Sequence, residues 1–497
     1  VSPAVWRAAR AAGVLVALLA LWPVVNAAGA SDPLEGLTIS TTCREFMQKN
    51  MLGQAGAELV LGYLYYTQDA AGSACGWSTS SPYLAFAHCV QSAKKRGIAA
   101  PCLAIVSSGV IVGRSYAEAR RLTLDDAWEL TMANDEMRCG QEPGDRFYWL
   151  EHGFCDMPRH GPERARGLVL WNHGIAGTMV QHQAPPALAI RLLQARGWDV
   201  IKLNRHNLGE DAGSYRRAEE RVLEEIRAQR AKGYRKIVLA GQSFGGRVAL
   251  ELGTQTADVF ATITMAPGME TTVGNSRSQA PTDHRLRLAK TERVAVVFPG
   301  QDDLFGHPER GKTAGPILAQ RGRPYLMLDE TAGLRGHGGG TGGNFAFRYG
   351  LCLEEFVSAE SVPAGRFPCR PSDGRDVARE LLPPVPRYLK VSTQWYGLLG
   401  ETIVSWALVQ TERPTPSILY TWATSSSRGG GVYPATANGA EITAVLPNQS
   451  VLTVKPIDDR RLDATWTPRA GTTSNFSMHS RAAETLRGEL LRLDAEP

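Results

Sequence analysis

Between about Gly144 and Pro383 short apolar runs alternate with amphipathic segments, and no other feature of the chain restricts its fold as much. The runs GLVLWNHG, DVIKLN, KIVLAG, FATITMAPG, RVAVVFPG and PYLMLD are rich in branched aliphatic residues, as strands buried on both faces are. The intervening segment YRRAEERVLEEIRAQRAKG sets Ala218, Val222 and Ile226 on one stripe of a helix, with Gly233 as its stop. Strands that alternate with helices in this way predict an α/β domain over residues 141–383, built on a mostly parallel sheet. After the stiff linker LLPPVP, Leu381 to Pro386, the apolar period changes to two in TIVSWALVQ, SILYTWAT, AEITAVL, SVLTVKP and LDATWTP. Residues 384–497 are therefore expected to form an antiparallel β barrel or sandwich. Trp395, Trp406, Trp422 and Trp466 fall on these strands, where tryptophan more often fills a core than forms a binding surface.

A chain of 497 residues exceeds what one core supports. Its first 30 residues read as an export signal: Arg7 and Arg10, the apolar run AAGVLVALLALWPVV, and the small residues Ala28 to Ala30 before Ser31. The uncharged stretch from Ala11 to Ser31 is also long enough for a retained membrane anchor. Signal removal leaves no stable membrane span, which implies a secreted or periplasmic protein. All eight cysteines, Cys43, Cys75, Cys89, Cys102, Cys139, Cys155, Cys352 and Cys369, lie beyond the signal, and an even number in an exported chain points to disulfides. Pairing of neighbours is the simplest arrangement. Five of the eight fall in residues 31–140, expected to be a small disulfide-stapled α+β module with a helix around Cys89 and a hairpin in PCLAIVSSGVIVG. The net charge of +5, two of it from Arg7 and Arg10, is too small for a nucleic-acid partner, and the cysteine spacings do not suggest a metal. Oligomeric state has no signature in the sequence.

Chemistry enters with RKIVLAGQSFGGRVALELG, Arg235 to Gly253, which matches G-x-S-x-G. The pattern alone is weak, but here an apolar strand precedes Ser243 and a helix-forming segment follows it. A serine on such a sharp turn stands exposed at the carboxyl end of a sheet. It becomes a nucleophile only with a base, and the base needs an orienting acid. Asp302 and Asp303 follow the strand RVAVVFPG, two and three residues past Gly300, and His337 follows the strand PYLMLD in a glycine-rich loop.

With these motifs in this order, residues 144–383 resemble the α/β-hydrolase superfamily in its compact esterase and dienelactone-hydrolase-like form. The resemblance implies Ser243 as nucleophile, His337 as base and then acid, and Asp303, ahead of Asp302, as the orienting carboxylate. It also implies an oxyanion hole from the backbone N–H groups of Phe244 and Ile175, no cofactor, and a small-molecule ester as substrate. His173 in NHG is expected to brace the oxyanion loop. The same triad serves a peptidase or amidase, and a non-catalytic envelope-binding protein on this scaffold is the reading from another class. GHPERGKT, Gly306 to Thr313, matches a phosphate-binding loop literally, but no strand ends at its first glycine and Pro316 follows too closely for the helix it needs.

Overall fold

The computed structural model describes residues 34–51, 63–78, 82–107, 110–111, 113–125, 139–142, 148–154, 157, 159–174, 185–205, 212–268, 279–302, 304, 309–383, 385, 390–410, 416–424, 428–446, 449–470, 473–474, 481–482 and 484–493. The signal-like segment lies outside them. Among the described residues no helix is long and apolar enough to cross a membrane.

The N-terminal module runs α1 (Thr41–Asn50), β1 (Tyr63–Asp69), β2 (Gly72–Ser78), α2 (Pro82–Lys95), β3 (Leu103–Ser107), β4 (Val110–Ile111) and α3 (Tyr116–Asp125). Its four strands pair antiparallel in the order β2-β1-β3-β4. Disulfides Cys43–Cys75 and Cys89–Cys102 tie α1 and α2 to this sheet. Together with Cys352–Cys369 in the next domain, they join neighbours in sequence. Cys155 lies outside the described residues.

The α/β domain follows with β5 (Cys139–Glu142), β6 (Tyr148–His152), β7 (Leu168–Asn172), α4 (Leu188–Ala195), β8 (Asp199–Arg205), α5 (Ala212–Ala231), β9 (Ile237–Gln242), α6 (Phe244–Gln255), β10 (Ala261–Met265), α7 (Ala280–Leu288), β11 (Arg293–Val297), α8 (Arg310–Gln320), β12 (Pro324–Leu328), α9 (Gly343–Ser358), β13 (Gly365–Arg366) and α10 (Arg375–Leu381). The sheet order is β13-β12-β11-β10-β9-β7-β8-β6-β5, parallel except where β6 pairs with β8 and β5. All six apolar runs of the sequence are central strands of this sheet. The β5–β6 hairpin has no such run, and it carries the sheet back to Cys139, inside the stretch assigned by cysteine spacing to the module.

Alternation along the strands divides the core in two. Val169 and Trp171 of β7, Val238 and Ala240 of β9, and Ala295 and Val297 of β11 pack towards α4, α9 and α10. Leu168, Leu170, Ile237 and Leu239 face α5 and α6, where Ala218, Val222 and Ile226 form the buried stripe. Both faces of the sheet are covered, as a parallel sheet requires.

The C-terminal domain is a closed antiparallel barrel, not a sandwich. It comprises β14 (Val391–Leu399), β15 (Thr402–Val409), β16 (Ser417–Ala423), β17 (Arg428–Asn438), β18 (Glu441–Val445), β19 (Val451–Pro456), β20 (Arg461–Thr467) and β23 (Leu486–Leu493). Beside it, β21 (Thr473–Ser474) pairs with β22 (Arg481–Ala482). The four tryptophans belong to the barrel core or pack against it. Gly429 of the glycine-rich β17 leaves room for the Trp422 ring, since a Cβ there would stand 2.8 Å from it. On the outer wall Tyr396, Ile403 and Ala423 join the core of α9 and α10, with Tyr396 fully buried and its ring 6.1 Å from that of Phe347.

Candidate active site

Ser243 stands between β9 and α6 with φ 55° and ψ −120°, a conformation that side-chain-bearing residues rarely adopt. The surroundings enforce it. The Ser243 N–H donates to Met265 O at 2.9 Å, and its carbonyl accepts from Gly268 N and Arg247 N at 3.0 Å each. A Cβ on Gly241 would stand 2.3 Å from the Gly245 backbone, and one on Gly245 1.9 Å from Asn172 O. Both glycines of the motif are therefore fixed by close backbone approach. The sequence suggested a solvent-reached turn, yet Ser243 is only 6% exposed. A Cβ on Gly174 would stand 3.4 Å from Ser243 Cβ, which shows how closely the segment after β7 crowds it.

The loops after β11 and β12 are locked in register by a single parallel bridge between Gly300 and Arg335. Gly300 N donates to Leu334 O, and Gly336 N to Gly300 O, at 2.8 Å each. Two residues further along each strand-like segment are Asp302 and His337, and they meet. His337 Nδ1 lies 3.1 Å from both carboxylate oxygens of Asp302, whose Oδ1 also accepts from Leu304 N at 3.1 Å. The Asp302 side chain is 1% exposed and that of His337 15%. Among the described residues the carboxylate against the imidazole is thus Asp302, which the sequence placed second to Asp303. The equal offset from the bridge selects it, and the turn between is made by Gln301 at φ 55°. Asp303 lies outside the described residues.

Gln242, the residue before Ser243, donates from Nε2 to the His337 carbonyl at 3.1 Å, which ties the end of β9 directly to the histidine loop. This contact has no sequence signature, because a glutamine within G-x-S-x-G is unconstrained by the pattern.

The segment after β7 is braced by polar groups. His173 Nε2 accepts from Arg205 N at 3.0 Å, while Nδ1 stands 2.7 Å from Gly174 O, an arrangement that fits neutral imidazole with its proton on Nδ1. The Arg205 guanidinium donates to His173 O and lies 4.5 Å from the centre of the Phe244 ring. Phe244 opens α6, where backbone N–H groups lack helical acceptors. Ile175, the other expected donor, lies outside the described residues.

The phosphate-loop match dissolves in the fold. α8 begins at Arg310 inside the motif, and Lys312, its lysine, is exposed and paired with Glu309.

No protein-family model matches the chain, and no curated protein matches it in sequence. Solved structures similar to it include a puromycin-hydrolyzing peptidase of Mycobacterium tuberculosis, at 16% identity over 47% of this chain and 42% of that one, with a TM-score of 0.33. The chain thus matches less than half of that protein's length. Est1E of Butyrivibrio proteoclasticus is 14% identical over 44% of this chain and 96% of its own, with a TM-score of 0.31. An esterase of Pyrococcus furiosus is 11% identical over 45% and 92%, with a TM-score of 0.30. The strand order, the antiparallel β6 and the turn between β9 and α6 give residues 139–383 the α/β-hydrolase fold.

Proposed function

We propose that this protein is an exported serine hydrolase that cleaves carboxylic esters of short to medium acyl chains. The reading is carried by one observation: the strained Ser243 turn stands beside a loop whose His337 is held by a buried carboxylate. Ser243 Oγ attacks the ester carbonyl as His337 takes its proton, and Asp302 keeps the imidazole in the tautomer with Nδ1 protonated and stabilises the imidazolium. Backbone N–H groups of Phe244 and Ile175 receive the developing oxyanion, each worth on the order of 3 kcal/mol in the transition state. His337 then protonates the departing alcohol, and water releases the acyl group by the same steps in reverse. Three disulfides support an oxidising compartment. An open site is supported by α7, which buries only Thr282 and Leu286 and so lacks the apolar face of a lipid-covering lid.

An organophosphonate should label the wild type at Ser243 and leave Ser243→Ala unlabelled and inactive. Turnover of p-nitrophenyl esters should fall as the acyl chain passes about eight carbons, given limited surface to bury methylenes at ~0.8 kcal/mol each. Labelling of the alanine variant at the normal rate would overturn the assignment, and rates that climb towards palmitate would overturn the chain-length preference.

A further inference from the structure

Arg310 has no part in the mechanism above, yet its side chain turns away from solvent at the start of α8 and is 3% exposed. Nε donates to Gln279 Oε1 at 2.7 Å, and Nη2 donates to Pro267 O at 3.0 Å and to Thr282 Oγ1 at 3.5 Å. The guanidinium lies over the Phe298 ring, 4.6 Å from its centre. Nη1 makes no hydrogen bond among the described residues and stands 3.9 Å from Asp302 Oδ2. A cation this deep is costly to keep unless an anion compensates it. Two other carboxylates lie in its neighbourhood, but Glu330 accepts from Gly311 N at 3.2 Å and Asp283 from Gln279 Nε2 at 2.8 Å. Among the described residues the carboxylate within 4 Å is the one that holds His337. Burial pulls the guanidinium down to about 10, so it is still charged at neutral pH.

We propose that Arg310 is a positioning residue of the site: its buried positive charge, 3.9 Å from Asp302 Oδ2, holds that carboxylate opposite the imidazole of His337. Asp302 is then shared between two cationic neighbours whenever His337 is protonated. A positive charge beside that pair acts against a second one on the imidazole, so the pH profile of a variant that lacks it reads out the coupling. The inference rests on the serine-hydrolase reading.

The test is the pH profile of kcat/KM for a short-chain ester, whose acid limb reports the free enzyme's base. In Arg310→Met the limb should move to higher pH by about 0.5–1 unit, which is a ~3–10-fold loss on the acid side beyond any change in the plateau. Arg310→Lys keeps the charge and should leave the limb within about 0.2 unit of wild type. If Arg310→Met does not fold, Arg310→Gln removes the charge while its amide can still donate to the polar groups around it, and should shift the limb in the same direction. A limb unmoved in Arg310→Met, or in Arg310→Gln where that variant takes its place, overturns the inference while phosphonate labelling of Ser243 leaves the hydrolase reading standing. Failure of the wild type to label at Ser243 removes the reading itself.

Discussion

Among the described residues, the buried apolar side chains of the N-terminal module pack on others of the same module, and Cys43–Cys75 and Cys89–Cys102 close it. In the barrel, by contrast, Tyr396, Ile403 and Ala423 leave the barrel interior and enter the core of α9 and α10. The barrel sequence contains no cysteine. A small module on its own has too little apolar surface to fold firmly and gains from covalent staples. A closed eight-stranded barrel fills itself with aromatic side chains and has surface left to share. The difference bears on function, because α9 begins at Gly343, six residues past His337, and the barrel turn between β14 and β15 caps it: Glu401 Oε2 accepts from Asn344 N at 3.3 Å. The barrel is thus joined to the helix that follows the histidine loop.

Ile403→Asp should break this contrast most forcibly. It puts a charge into the shared core, with an expected loss of roughly 3–5 kcal/mol, and ester turnover should fall together with thermal stability. Turnover preserved in a destabilised variant would show that the barrel does not support the histidine loop. Cys43→Ser combined with Cys75→Ser opens a link of sequence separation 32 and should cost the module about 3–4 kcal/mol on the chain-entropy model. Limited proteolysis should then cut the module early while turnover stays within about twofold of wild type, an expectation drawn from additivity of distant sites. A larger drop would make the module part of the working enzyme.

The smallest effect is expected at Glu401. Burial raises its carboxyl above the ordinary 4.5, so the folded protein holds that proton to higher pH than the unfolded chain does. Its contribution to stability is complete below 4.5 and declines as pH rises through the raised value. Glu401→Gln keeps an acceptor for Asn344 N without the charge. It should flatten the pH dependence of the melting temperature above pH 4.5, by about a degree, and leave it no lower than wild type. A steeper pH dependence in the variant would contradict the assignment.

The central sheet was legible because each strand is an apolar run bounded by turn residues, and Ser243 and His337 because each follows such a run. Asp302 was ranked behind Asp303. A lone bridge between Gly300 and Arg335 leaves no periodic trace, and only the bridge says that Asp302 lies opposite His337. β17 was hidden for a different reason. Its three consecutive glycines read as a loop, whereas Gly429 is a space for Trp422 that becomes visible only once the strands are paired. Arg310 was obscured by the motif around it, since a literal phosphate-loop match draws attention to its lysine and away from the buried arginine two residues earlier.

The lengths of the edge strands carry a consequence for association. The nine-stranded sheet ends in β13, of two residues, and in β5, of four, and the segment after β13 is stapled to α9 by Cys352–Cys369. The barrel closes β14 on β23 and so presents no edge along which another chain could add a strand. Short edges and a closed barrel leave little described backbone along which a neighbour could add a strand, which disfavours cross-β aggregation in crowded surroundings.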